Sequence, residues 1–184
     1  MILYRHNDRR FPFLWEATSQ PAARWHRLGE GPVQYFADTP GGAWAEFLRH
    51  EEITDEADLS GVARAMWAVE AGSPDSVEPD LPDTVMRGGY DTYTRCQEEA
   101  ARLRSEGATV LRARSAALED GGATGWRVEL GFRKGPNADG DVYVFFGPQP
   151  DLVGWLVVDN GQPPAELLQV VRHFSGGHPV LRSP

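Results

Sequence analysis

Cysteine and long apolar runs are the features that this sequence has least of. Its 184 residues include one cysteine, Cys96, which excludes an intrachain disulfide framework and a zinc site built from several cysteines. No apolar run approaches the roughly 20 residues that a membrane-spanning helix needs. The first ten residues contain no apolar segment typical of a secretory signal. These features predict a cytoplasmic protein that does not cross a membrane.

Positive charge is also scarce. The chain has 18 lysine and arginine residues against 27 acidic ones, which gives a net charge of -9, and Lys134 is the single lysine. Domains that bind nucleic acids usually carry a strong basic footprint, so direct binding to DNA or RNA is not expected. The five histidines lack a metal-ligand spacing such as HExxH, and no glycine-rich phosphate loop is present. We therefore predict no metal site.

The length predicts one domain over residues 1–184, with residues 175–184 as a mobile tail. Seven segments are predicted as strands from apolar alternation or from β-branched and aromatic content: Ile2–Arg5, Val33–Ala37, Ala63–Ala71, Thr109–Arg114, Trp126–Phe132, Val142–Phe146 and Leu152–Val158. The turn signal Asp139-Gly140 predicts that residues 134–141 connect a hairpin.

Three helices are predicted from caps and helical periodicity: one capped by Thr39 that runs from Pro40 to about Glu52, one from Asp91 or Thr92 to Gly107, and one that starts near Pro163. Strands outnumber helices and do not alternate strictly with them. This order indicates an α+β fold rather than a doubly wound sheet.

The first 50 residues hold most of the candidate site residues. Glu46 lies at the rim of the apolar arc of the first helix, where it could point into a cleft or be a solvated glutamate. Arg5 and Arg24 could clamp a pyrophosphate or be ordinary surface arginines. Trp25 and Tyr35 could stack on a ligand ring or belong to the core.

The order of these residues resembles the RES domain family. The motif "YR" on an opening strand corresponds to Tyr4-Arg5, and the loop "GGRWN" corresponds to residues 22–26. The pattern "G.P..Y.A" corresponds to residues 31–37, and the helix "A..E.L.H" corresponds to residues 43–50. The resemblance is specific over residues 4–50 and looser afterwards.

The resemblance implies an ADP-ribosyltransferase-like fold, with a mixed β core and flanking helices, that takes NAD as its substrate and needs no cofactor. Family members break the nicotinamide–ribose bond by hydrolysis or phosphorolysis, and an Xre-type helix-turn-helix antitoxin inhibits them. It implies catalytic roles for Glu46, Arg24 and Tyr35. The implied NAD-binding residues are Arg5, His6, Trp25, His26 and a serine equivalent that is either Thr94 or Ser115.

The chain departs from the family pattern at several positions, one of which is His6, since relatives often carry tyrosine after the first arginine. Alanine stands at 22 and 23 where the family has paired glycines, and His26 stands where it has asparagine. Two alternatives to NAD degradation stay open. One is transfer of ADP-ribose to a macromolecule. The other, which these changes favour, is a catalytically silent module that keeps the fold and binds a partner.

Overall fold

The computed structural model describes residues 1–174, which form an α+β fold around one seven-stranded sheet. The chain contains nine strands in these residues: β1 (Ile2–Asn7), β2 (Val33–Ala37), β3 (Arg64–Glu70), β4 (Ser76–Val77), β5 (Val110–Arg114), β6 (Ala123–Val128), β7 (Phe132–Ala138), β8 (Asp141–Phe146) and β9 (Val153–Gly161). The order across the large sheet is β4-β5-β8-β2-β1-β3-β9, and β4 and β5 are its one parallel pair. The predicted tail at 175–184 lies outside the described residues.

Four α-helices and two 3-10 helices connect the strands: α1 (Pro40–His50), α2 (Glu56–Leu59), α3 (Asp83–Met86), α4 (Tyr93–Ser105), and the 3-10 segments Tyr90–Thr92 and Ala165–Val170. The first helix begins as predicted, because Thr39 Oγ1 accepts a 3.0 Å hydrogen bond from Gly42 N. The α-helix predicted from Pro163 is wrong. The chain forms only a 3-10 helix there, and at Val171 it becomes extended and pairs with Leu118.

The two long helices pack on the same face of the sheet. The apolar side of α1, which includes Phe47 and Leu48, packs with Met66 of β3, and Cys96 of α4 packs with Leu111 of β5. The loop after β1 covers the opposite face, where its side chains pack around buried residues of β1, β2 and β3. The sheet therefore divides the core into two parts. Any cavity that passes between the strands can be lined by side chains from both faces of the sheet.

The predicted strand Trp126–Phe132 is wrong, because the chain turns within it. Strands β6 and β7 form a separate two-stranded ribbon joined by residues 129–131, and Leu130 adopts a φ of +53° in the turn. Since apolar residues alternate across this turn, the sequence pattern resembles one continuous half-buried strand. The side chains of Trp126, Val128 and Phe132 are in fact exposed. Residues 134–138 belong to β7, and β7 does not pair with β8, so the predicted hairpin connection is also wrong.

The sheet is forked at its centre. Strands β1 and β2 are joined by one residue pair, Tyr4 with Ala37, whereas β1 pairs with β3 at six positions and β2 pairs with β8 at five. Beyond Tyr4, β1 therefore has no partner on the side of β2. The gap between these strands is the place where the candidate site forms.

Candidate active site

A cavity of about 680 Å³ occupies the fork between β1 and β2. Residues of β1, β2, α1, β8, the start of β3 and the loop after β1 line this cavity. They are Tyr4, Arg5, His6, Asn7, Asp8, Phe11, Pro12, Leu14, Trp15, Glu16, Ala17, Tyr35, Phe36, Ala37, Ala43, Glu46, Arg64 and Val142. Four residues predicted from the sequence, Arg5, His6, Tyr35 and Glu46, thus share one cavity.

Glu46 is a half-buried carboxylate on the wall of this cavity. Ser115, which follows β5 directly, donates a 2.6 Å hydrogen bond from Oγ to Glu46 Oε1. The same serine oxygen accepts a 3.1 Å hydrogen bond from Ala117 N. Because Ser115 is buried and held on both sides, it fixes the orientation of the Glu46 carboxylate.

The two candidates for the serine position have very different surroundings. Ser115 contacts Glu46, whereas Thr94 is an exposed residue in the first turn of α4. The threonine that faces the interior is Thr92, whose hydroxyl accepts a hydrogen bond from Arg24. Of the alternatives left open by the sequence, Ser115 is the hydroxyl that the fold brings to the carboxylate.

Arg5 reaches the cavity from the open edge of β1. Its Nη1 donates a 3.0 Å hydrogen bond to Gln34 Oε1, and its guanidinium lies 5.8 Å from the ring centre of Phe36. Burial lowers the pKa of Arg5 to about 10, so the side chain still carries its charge at neutral pH. Gln34 neutralises none of this charge, because an amide oxygen carries only a dipole.

His6 is a neutral imidazole in the same wall. It stacks on Trp44 at 6.2 Å and meets the edge of Phe47 at 5.0 Å. Burial is the main cause that lowers the pKa of His6 to about 3, and the charges of Arg64 and Arg5 lower it further. Arg64 Nη2 lies 3.4 Å from His6 Nδ1. Since arginine only donates, Nδ1 is the acceptor and the proton of the neutral ring is on Nε2.

Tyr35 and His26 form a buried hydrogen-bonded chain beside the cavity. His26 Nε2 lies 2.9 Å from the carbonyl of Pro21, which can only accept, so His26 Nδ1 accepts from the Tyr35 hydroxyl at 2.9 Å. The Tyr35 oxygen accepts in turn from Trp25 N at 3.1 Å. Burial raises the pKa of Tyr35, so the hydroxyl stays protonated and the chain stays intact.

Trp25 and His26 therefore support the cavity from behind and are not part of its wall. Trp25 is 3% exposed and packs with Val33 and Cys96 in the core between the sheet and α4. His26 is completely buried. The sequence left open whether Trp25 stacks on a ligand or belongs to the core, and the structure places it in the core.

Arg24 is buried, and protein oxygens accept from both of its terminal nitrogens. Its Nη1 donates to Thr92 Oγ1 at 3.2 Å and to the carbonyl of Val85 at 3.4 Å, and its Nη2 donates to the carbonyl of Gly88 at 2.8 Å. The guanidinium also lies 4.6 Å from the ring centre of Tyr93. Arg24 does not line the cavity.

A second buried arginine, Arg49, shares a partner with Arg24. Its Nη2 donates a 2.7 Å hydrogen bond to the Gly88 carbonyl, and its Nη1 donates to the carbonyls of Ala116, at 2.7 Å, and Arg172. Burial and the nearby charge of Arg24 lower the pKa of Arg49, whereas Glu46 raises it. Arg49 thus places a cation near the Glu46 carboxylate and connects α1 to the Gly88 carbonyl, which Arg24 also engages.

The sequence reasoning missed Arg49 and Arg64. Arg49 lies three residues after Glu46 in the helix, and its position on the buried side of α1 is a signal that periodicity could have provided. Arg64 is an isolated arginine at the start of a strand, where no spacing marks it. Among residues 1–174 no group of three or more histidine, cysteine, aspartate or glutamate side chains is arranged to hold a metal ion.

Fold and cavity together define the class: an α+β protein with a cleft at the fork of its central sheet, lined by a fixed carboxylate and by cationic side chains. In a comparison with known families, the RES domain matches residues 2–153 of the 184, and the chain belongs to this family. The matched range includes every candidate residue from Arg5 to Ser115. No curated protein sequence matches the chain. Over residues 1–174 no helix has the length and apolar character needed to cross a membrane.

Proposed function

We propose that this RES domain protein is an enzyme that breaks the nicotinamide–ribose bond of NAD, with water or inorganic phosphate as the acceptor. The observation that carries the proposal is the Glu46 carboxylate, held by Ser115 in the wall of a cavity that also contains Arg5 and His6. NAD is the substrate here, and no further cofactor is part of the proposal.

The chemistry requires a negative charge near the ribose. When the bond between C1′ and the nicotinamide nitrogen breaks, its electron pair goes to the nitrogen and positive charge develops on the ribose, as in glycoside hydrolysis. A fixed carboxylate stabilises that charge because its orientation needs no reorganisation during the reaction. Nicotinamide leaves as a neutral molecule, so no strong general acid is needed. An oxygen of water or phosphate then bonds to C1′, and water loses one proton to solvent.

The other side chains have supporting roles in this proposal. Arg5 lies on the wall with an unneutralised charge and is assigned to a phosphate group of the substrate. The ring of Tyr35 packs against the nicotinamide ribose or ring, since its hydroxyl is engaged by His26. Arg24 acts as a positioning residue through Gly88 and Arg49, because protein oxygens already engage its terminal nitrogens.

The location and the partner of the enzyme are also part of the proposal, and both are taken from the family. The enzyme would act in the cytoplasm as the toxin of a toxin–antitoxin pair, and an Xre-type helix-turn-helix protein would inhibit it. If the pairing holds, the neighbouring reading frame encodes such a protein. The proposal does not require the enzyme to bind nucleic acid directly.

The test is nicotinamide release from NAD by the purified protein, with and without phosphate. The Glu46→Gln variant should lower the rate about 100-fold or more, since one electrostatic contact to a developing charge has roughly this effect on kcat. Glu16→Gln is the matched control, because Glu16 lines the same cavity but is exposed. Equal and negligible release by wild type and Glu46→Gln would contradict the proposal.

A second assay separates the rival functions. Labelled NAD is incubated with the protein and a cell lysate, and the label is followed. Free ADP-ribose or its phosphate supports degradation, whereas label on a protein or nucleic acid supports transfer. Calorimetry that detects no heat with NAD would support a silent module.

A further inference from the structure

Two arginines in the cavity wall have no carboxylate partner. Arg5 on β1 and Arg64 on β3 both line the cavity, and neither forms an ion pair within residues 1–174. Both side chains are half-buried, and a charge that is withdrawn from water costs free energy unless an opposite charge compensates it. The planar guanidinium group of arginine matches the oxygens of a phosphate. This part of the cavity wall therefore carries positive charge that no carboxylate of the described residues pairs with.

Arg64 is held in place by apolar and neutral groups. Its guanidinium lies 5.3 Å from the ring centre of Phe47, and Nη2 reaches His6 Nδ1 at 3.4 Å. Its Nε is buried and has no hydrogen-bond partner within residues 1–174. The side chain is thus positioned beside β1 without an ion-pair partner, and part of its donor capacity stays unused.

The carboxylates in the cavity are accounted for elsewhere. Asp8 is engaged by Arg10, whose nitrogens contact it at 2.6 to 3.1 Å. Glu46 accepts from Ser115, and Glu16 is exposed. Hydrogen bonds from Arg10 are the main cause that lowers the pKa of Asp8, and the charge of Arg64 lowers it further without forming an ion pair. An anion that enters beside β1 would therefore meet two guanidinium groups that have no ion-pair partner, and the Nε2 proton of His6.

We infer that Arg64 is the second phosphate-binding arginine of this cavity, and that Arg5, Arg64 and His6 together bind the pyrophosphate of a dinucleotide. The sequence reasoning gave this role to Arg24, but protein oxygens already engage both terminal nitrogens of Arg24. The identity of the ligand as a dinucleotide rests on the proposed function. The anion site itself does not depend on any bond being broken.

The test measures binding and not catalysis. Calorimetry compares ADP-ribose, which carries the pyrophosphate, with adenosine, which lacks it, on wild type and on Arg64→Gln. The variant should bind ADP-ribose about ten- to a hundredfold more weakly, the usual effect of losing a charged hydrogen-bond donor. It should bind adenosine as wild type does, and Arg64→Lys should restore part of the ADP-ribose affinity.

Arg104 provides a matched control. Its guanidinium also lies 5.3 Å from a phenylalanine ring centre, that of Phe146, but it pairs with Glu30 and does not line the cavity. Arg104→Gln should leave both affinities unchanged. If Arg64→Gln fails to fold, competition on the wild-type protein decides: inorganic pyrophosphate must displace ADP-ribose.

The outcomes separate this inference from the proposed function. Equal ADP-ribose affinity in wild type and Arg64→Gln, no ADP-ribose binding by wild type, or no displacement by pyrophosphate overturns the assignment of Arg64. If the protein releases no nicotinamide but binds ADP-ribose in a way that depends on Arg64, the proposed bond cleavage is contradicted and the anion site is supported. If NAD is cleaved, Arg64→Gln should raise KM for NAD and leave kcat unchanged, which marks a binding residue.

Discussion

Ser115 Oγ donates a 2.6 Å hydrogen bond to Glu46 Oε1, and the two residues are 69 positions apart in the chain. The bond connects the end of β5 to the middle of α1. The carboxylate is therefore oriented by the sheet as well as by its own helix. Because Ser115 is only 2% exposed, water does not compete effectively for this contact.

Replacing Ser115 with alanine should release the Glu46 carboxylate from its orientation. We expect nicotinamide release to fall about ten- to a hundredfold, since small misplacements of a catalytic group have effects of this size. The free energy of unfolding should fall by about 0.5–1.5 kcal/mol for the lost hydrogen bond. Rate assays and urea unfolding measure the two effects. Thr94→Ala is the control and should change neither, and a loss of rate with Thr94→Ala alone would reverse the assignment of the serine position.

Replacing Tyr35 with phenylalanine should destabilise the fold. The change leaves the Trp25 N–H and His26 Nδ1 without their partner in a buried region, at a cost of about 2 kcal/mol or more. Urea unfolding followed by circular dichroism measures this cost. Tyr4→Phe is the control, because Tyr4 packs against the α1 core and its hydroxyl has no polar partner within residues 1–174. Equal stability of wild type and Tyr35→Phe would contradict the proposed chain of hydrogen bonds.

The stability of the protein should depend on pH through His6. Its pKa is lowered from 6.5 to about 3 in the folded state, chiefly by burial, so the unfolded chain binds one more proton between these values. The contribution of His6 is complete above pH 6.5 and is lost as the pH falls towards 3. The slope approaches about 1.4 kcal/mol per pH unit within this window. The free energy of unfolding in urea is measured at several pH values for wild type and for His6→Gln, and the difference between the two separates the contribution of His6 from that of the carboxylates. If the free energy of unfolding depends on pH in the same way in both proteins, His6 is not responsible.

The ribbon formed by β6 and β7 should tolerate polar substitution. Trp126, Val128, Leu130 and Phe132 are exposed, so serine at these positions should change the free energy of unfolding by no more than about 0.5 kcal/mol each. In contrast, Leu48→Ala should cost about 2–5 kcal/mol, because Leu48 is completely buried in the α1 core. Thermal or urea unfolding checks both, and a large loss from the ribbon variants would mean that the ribbon is packed in solution.

The sequence predicted most of the large sheet and both long helices. Strand β2 has the predicted bounds, and α1 begins at Pro40 behind the Thr39 cap. These elements depend on local patterns, such as alternation and capping, that a sequence displays directly. The ribbon was missed because Leu130 turns the chain in a left-handed conformation that is rare for leucine, and this residue gives no turn signal.

The candidate site was predicted in part, and the physical reason lies in long-range contacts. Glu46, Arg5, His6 and Tyr35 share the cavity as their motifs indicated, because these motifs lie on neighbouring elements of the fold. The role of Arg24 could not be predicted, since it depends on carbonyls around Gly88, 64 positions away. Arg64 could not be predicted either, because only the pairing of β1 with β3 brings it to His6.

By itself the sequence determined the family, the α+β class and a carboxylate with nearby arginines, since residue types in a fixed order carry this information. Only the tertiary structure decided which groups are free to meet a ligand. A guanidinium or hydroxyl can bind substrate only if other parts of the chain have not already engaged its donors, and that depends on contacts that form when distant segments meet.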